Sequence, residues 1–193
     1  MEKLPILITK NVLDLNQFVE FWSRLYSYPL ENLYNERIKK NMFDNEDIQN
    51  LFVWKNGMDL SLLKQNSIDG KIKLKLKLIN ELKTQKNVDL ESFKNKFSNL
   101  TTVWKIFLLH IIKPDKYPIY DQHIHRAFNY IHNEDYSRIS SSYPSNNEKE
   151  KFYFNTYLPF IKKQKHINLK KLDEAFFSFG QFINTKKNLT LIK

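Results

Sequence analysis

Apolar residues recur along this chain at helical spacing. From Leu15 to Tyr28, the residues Leu15, Phe18, Val19, Trp22, Leu25 and Tyr26 share one face, which predicts an amphipathic helix. Asp14 stands at its N-cap position, and Pro29 restricts the residue before it. Leu30 to Lys40 reads as a second, short helix. Asn45 to Lys55 reads as a third, with Ile48, Leu51, Phe52 and Lys55 in register and Gly57 as its stop. Leu60 to Lys64 reads as a turn or a short helix. Val88 to Phe97, with Asp89 near its start, is another helix. Thr101 to Ile112 is apolar almost throughout, the pattern of a buried helix. Asp121 to Ile131, Lys149 to Lys165 and Leu169 to Ile183 complete the set.

One stretch carries two signals. Lys71 to Leu78 alternates lysine with apolar residues at period two, as a strand does. It continues to Leu82 through good helix formers and has no partner strand in view, so a helix over Ile68 to Lys83 is the expected reading. Lys113 to Pro118 reads as a loop, and the polar, serine-rich Asn133 to Asn147 as a flexible connector. Glycine occurs only at Gly57, Gly70 and Gly180, so tight hairpins are scarce. The expectation is a compact all-α protein of about eight to ten helices, with no linker dividing it into independent domains.

Composition narrows the class. A chain of 193 residues makes one domain, or two small lobes around one cleft. At that size folding buries roughly 70% of the surface the unfolded chain exposes, so no staple is needed. Hydrophobic residues at 41% and aromatics at 15% exclude disorder as the main state. With no cysteine there is no disulfide framework, thiolate zinc site or cysteine nucleophile, and a cytoplasmic protein is the expectation. The apolar run Leu4 to Ile8 is short and interrupted by Pro5, unlike a signal peptide. No stretch approaches the ~20 apolar residues of a membrane span, so no membrane partner is expected.

The net charge of +10 points to a polyanion, nucleic acid before others. A second source of that charge stands beside it. Only Arg24, Arg37, Arg126 and Arg138 are arginine, and the other 27 of the 31 basic residues are lysine. Together with the abundance of Asn, Ile, Tyr and Phe, this is what AT-rich codon usage produces without any function.

The chemistry concentrates in Pro118 to Phe128. Asp121 follows a short extended segment and opens a helix. As an N-cap it contributes ~1 kcal/mol and needs no further role. As an anion facing a cleft it would stabilise a cation forming on a substrate. Trp22, Trp54 and Trp104 are each a core residue or a platform for a flipped base. The dense stripe of Phe176, Phe177, Phe179 and Phe182 is core or the wall of a base pocket. Five histidines (His110, His123, His125, His132 and His166) raise metal binding. Asp121, His125 and His132 share a helix face, but His123 and His125 do not, and no HExxH pattern is present, so no metal is expected.

The run Asp121-x-His123-Ile124-x-Arg126 resembles the signature of the helix-hairpin-helix DNA glycosylases, whose catalytic aspartate opens a V-D-x-H-V-x-R segment. Leu100 to Phe107 stands where that family carries L-P-G-V-G-x-K-T/A, with Lys105 lying 16 residues before Asp121. Three segments, Phe52 to Met58, Lys116 to His123 and Leu172 to Gly180, are similar to small bacterial proteins with an 8-oxoguanine-glycosylase-like fold. Two departures stand out: Thr102 and Trp104 replace the hairpin glycines that let backbone amides approach a phosphate.

The resemblance implies an all-α, two-lobed helix-hairpin-helix glycosylase-like fold in one domain over residues 1–193. Residues 88–131 would form the hairpin lobe, residues 1–87 and 132–193 would supply the other helices, with the N-terminal and C-terminal helices joined in one lobe, and the site would lie in the cleft. It implies a DNA glycosylase excising a damaged or modified base, 8-oxoguanine at family level, from duplex DNA by flipping it out. Asp121 would stabilise the charge on the sugar. Lys105 would be the nucleophile of a lyase step. Trp104, Gln122, His123, Asp173 and Phe177 would contact substrate, although His123 also reads as a structural hydrogen bond, Asp173 as a helix cap, and Arg126 as partner to an acid or a helix end. No cofactor is implied, and a monomer is expected. Two other readings stay open: a catalytically degenerate nucleic-acid-binding or defence-associated module of the same fold, and an interaction protein whose charge is codon bias.

Overall fold

The structure is a computed structural model that describes residues 14–133, 144–164 and 166–184. Every regular element among them is helical. In order these are α1 (Leu15–Ser23), α2 (Glu31–Asn35), α3 (Asn45–Asn56), α4 (Leu62–Lys71), α5 (Leu76–Thr84), α6 (Leu90–Lys96) and α7 (Thr102–Ile112). There follow α8 (Gln122–Asn133), α9 (Asn146–Phe152), α10 (Leu158–Lys163) and α11 (Leu169–Ile183). A 3-10 turn covers Lys73–Lys75 and a π-helical segment covers Tyr153–Tyr157. The all-α class expected from the sequence is the class observed. Most of the expected connector, residues 134–143, lies outside the described residues. The chain divides into two compact units, one joining Met1–Ser27 to Tyr120–Lys193, the other running Tyr28–Ile119.

In the first unit α1 and α8 both pack on α11. Asp14 starts α1 with a reciprocal capping box, its carboxylate taking the Gln17 N–H at 2.8 Å and the Gln17 side chain taking the Asp14 N–H at 3.2 Å. The apolar face of α1 then meets the phenylalanine stripe of α11. Trp22 lies 5.0 Å from Phe179 and 5.3 Å from Phe182, and Phe18 lies 5.4 Å from Phe176. Aromatic burial of this kind contributes about 1.5–3 kcal/mol per side chain. The helix ends at Ser23 rather than reaching Tyr28, and Leu25, expected on the buried face, is 52% exposed. The long helix expected over Lys149 to Lys165 is broken into α9, the π segment and α10. Pro159 accounts for the break: it has no N–H for the carbonyl of Asn155 and its ring crowds that carbonyl, so the turns before it widen.

In the second unit α3 and α7 supply the core. Phe52 lies 5.1 Å from Phe107, and Tyr34 of α2 lies 4.3 Å from Trp54. Gly57 ends α3 in the left-handed region at φ 76°, where the Tyr28 hydroxyl would sit 3.0 Å from any Cβ. The stretch Ile68 to Lys83 is helical but not one helix. Ile68, Ile72 and Ile79 are buried, whereas Leu74 is 80% exposed in the 3-10 turn that joins α4 to α5. The Lys-Leu alternation falls on that turn, so it marks neither a strand nor a continuous helix.

Lysines hold the ends of these helices. Lys83, near the end of α5, donates to the Ile111 carbonyl of α7 at 3.1 Å. Lys113, just past α7, donates back to the Lys83 carbonyl at 2.6 Å and to that of Gln85. Each helix end leaves carbonyls without intrahelical partners, and each here receives the other's ammonium group. Lys116 adds a bond to the Lys86 carbonyl at 2.5 Å.

Candidate functional site

Asp121 stands at the N-terminus of α8 and is half-buried. Its Oδ1 accepts the His123 N–H at 2.8 Å, and its carbonyl accepts the His125 N–H at 3.0 Å, starting the helix. The cap anticipated for Asp121 is therefore formed, and the carboxylate sits where the backbone dipole favours negative charge. Just before it, Tyr120 is buried with its hydroxyl 2.8 Å from His125 Nδ1. The His125 ring stacks on Phe152 at 3.9 Å.

The remaining motif residues fix this helix start against α11. Arg126 Nη1 lies 2.9 Å from His123 Nδ1. A guanidinium only donates, so Nδ1 accepts and carries no proton in this geometry. The imidazole also packs T-shaped against Phe177, ring centroids 5.1 Å apart. Arg126 Nη1 further donates to the Gly180 carbonyl at 3.3 Å, one of the last four of α11. That is the helix-end partner anticipated for Arg126. Gly180 is what allows the approach: a Cβ there would lie 2.0 Å from the His123 carbonyl oxygen. Asp121, His123, Arg126, Phe177 and Gly180 thus form one connected constellation. Gln122 is the first residue of α8 and is half-buried.

For Asp173 one of the two anticipated roles, the helix cap, is not the one observed. It does not cap α11; Asn168 does, its side chain accepting the Lys171 N–H at 3.1 Å. Asp173 lies inside the helix, buried, and its Oδ1 accepts the Tyr157 hydroxyl at 2.9 Å. Burial and the neighbouring Asp173 charge push the Tyr157 phenol well above its usual range. Tyr157 closes the π-helical segment, so this buried pair secures the widened turns against α11. Sequence reading did not single out Tyr157, and no local pattern marks it.

Lys105 and Trp104 lie on α7, in the other unit. Lys105 is half-buried, and its N–H bonds the Thr101 carbonyl at 2.9 Å. Trp104 sets its ring edge-on to Phe52 at 5.2 Å. Thr102 is buried as the first residue of α7, and the Thr101 side chain makes no capping bond. Trp22 and Trp54 are both core residues, each 3% exposed, and Trp54 donates its indole N–H to Glu31 at 2.9 Å.

His110 is bound on both nitrogens. Nδ1 donates to the Tyr117 carbonyl at 2.7 Å, and Nε2 lies 2.8 Å from the Tyr34 hydroxyl. His132 rests on Phe128 at 4.1 Å, and His166 is exposed. Among the described residues no three His, Asp or Glu side chains are placed to hold a metal ion. Comparison of the chain with family models, with curated proteins and with solved structures gives no match.

Proposed function

We propose that this protein is a DNA glycosylase, with Asp121 as the residue that stabilises the sugar as the base departs. The observation that carries the reading is the constellation at the start of α8. There a half-buried carboxylate is fixed by the His123 N–H, and His123 is fixed in turn by Arg126 and Phe177. Base departure leaves positive charge on the sugar, and a preorganised anion lowers the barrier without reorganising as the charge forms. The base must first leave the stack, which costs a few kcal/mol and least for a damaged pair. The two-lobed helix-hairpin-helix fold and the family-level substrate, 8-oxoguanine, belong to this reading.

The resemblance adds a lyase step through Lys105. Its amine would displace the base at the anomeric carbon and lose a proton, and the sugar would open to a Schiff base. Loss of the adjacent sugar proton would then expel the 3′ phosphate.

Borohydride trapping tests both steps on duplexes carrying 8-oxoguanine, uracil, alkylated adenine, hydroxymethylcytosine or an abasic site. A covalent adduct is expected on one base, absent in Lys105→Ala. Asp121→Asn is expected to abolish base release while the helical signal and duplex binding persist. Release without an adduct would make the protein a monofunctional glycosylase. Neither adduct nor release on any base would overturn the enzymatic reading in favour of a nucleic-acid-binding module. One observation favours that alternative: Thr102 and Trp104 are built into the packing of α7, where glycines would serve a hairpin.

A further inference from the structure

We propose that the 3-10 turn between α4 and α5, with the C-terminal end of α6, is a contact surface for a nucleic-acid backbone. On this surface lysines hold phosphates and Leu74 bears on the sugars and bases between them. The proposal rests on the nucleic-acid partner of the reading above but concerns a part of the chain remote in sequence from Asp121.

The charge is one-sided. No aspartate or glutamate occurs between Gly70 and Asn80, or between Ser92 and Pro114. The fold brings these two segments together. Lys71 Nζ donates to the Asn99 carbonyl at 3.2 Å, and Lys75 Nζ donates to the Lys96 carbonyl while lying 5.0 Å over the Phe97 ring. An ammonium has three protons to donate, and the carbonyl takes one. Both cations are therefore already positioned when a phosphate arrives. Ordering a mobile lysine costs side-chain entropy, and here folding has met that cost. Lys77, two residues past Lys75, and Lys96, whose carbonyl Lys75 holds, are both exposed. Lys73 is directed elsewhere, bridged to Asp69 at 2.7 Å and to Gln49 at 2.8 Å.

Leu74 selects among polyanions. It is 80% exposed in the middle of these lysines. Burial of a lone leucine falls far short of what anchors a protein to a bilayer. The turn is three residues long and offers no amphipathic helix. A nucleic acid matches both features, with phosphates at regular intervals and apolar base steps that leucine side chains enter or brace.

The test measures binding of an undamaged, fluorescently labelled duplex across about 50–200 mM salt. The double variant Lys77→Gln/Lys96→Gln is expected to reduce the steepness of log K against log salt by about 2, close to one unit per lost phosphate contact. Leu74→Ser is expected to weaken binding with the slope unchanged. Lys39→Gln/Lys64→Gln removes the same charge elsewhere in the same unit and is expected to leave the slope as it was. An equal fall in that control, or an unchanged slope in Lys77→Gln/Lys96→Gln, overturns the proposal. So does wild-type protein that ignores DNA and binds phosphatidylserine vesicles instead. Base release is scored separately: a protein that binds through this turn but releases no base overturns the glycosylase reading and leaves the surface standing.

Discussion

At Gly180 a single missing methyl group sets how closely two helices meet. The atom a Cβ would strike is the backbone carbonyl of His123, 2.0 Å away, and a helical carbonyl cannot swing aside as a side chain can. Alanine would gain about 0.5–1 kcal/mol in helix propensity. Overpacking against backbone costs about 1–3 kcal/mol and here lies at the upper end. Gly180→Ala is therefore expected to destabilise the protein by about 2 kcal/mol in urea unfolding. A gain in stability would show that α8 and α11 can separate freely. This contact was not legible in the sequence, because nothing near Gly180 reveals which helix it faces. The Asp121 cap was legible because the capping carboxylate and the N–H that donates to it lie two residues apart. Asp173 shows the opposite case. Its position early in a helix suggested a cap, but its partner Tyr157 lies 16 residues upstream.

Among the elements, α5 and α7 show how lysine serves as a helix terminator. Their C-terminal carbonyls are crossed by each other's ammonium groups. Lys83 is held in a partly dry setting against Phe43, its Nζ 4.2 Å from the ring centre. Burial, then the Lys113 charge, pushes its pKa down to about 8, with Asp115 opposing. Lys113 shifts downward too, first through burial. The folded state therefore disfavours the charged amine relative to the unfolded chain. That penalty is full below about pH 8 and fades as pH rises toward the ordinary lysine value of 10.5. Burial moves the Tyr117 phenol up, so stability is lost again only above its ordinary value of 10.0. The urea midpoint is expected to rise between about pH 8 and pH 10, and Lys83→Met to flatten that rise. A midpoint that falls across this window would refute the assignment. Period and breakers gave the limits of α3, α7 and α11 almost to the residue. They missed the two interruptions. The 3-10 turn forms between buried Ile72 and buried Ile79, and the π turns form ahead of Pro159.

At the scale of the molecule, the lysine excess has a structural share. Lys83, Lys113 and Lys116 all donate to main-chain carbonyls at or just past helix ends, so part of the lysine content serves the fold itself. Chain topology is not readable from composition, and the joining of N-terminal and C-terminal helices was expected only through the family resemblance. The first helix belongs with residues beyond 120, not with the helices that follow it in sequence. Its aromatic face is plain in the sequence, but the pairing of Trp22 with Phe179 and Phe182 joins positions more than 150 residues apart. Closing a loop that long costs entropy, though only logarithmically in its length, so the aromatic contacts must outweigh it. Trp22→Ala removes the centre of that contact and is expected to cost about 3–5 kcal/mol. Amide hydrogen exchange locates the effect. Because α1 shares its core with α11, and α8 packs on α11 as well, the loss of protection should concentrate in α8 and α11. A loss concentrated in α3 and α7 would mean that α1 stabilises the other unit, and the division of the chain would have to be redrawn.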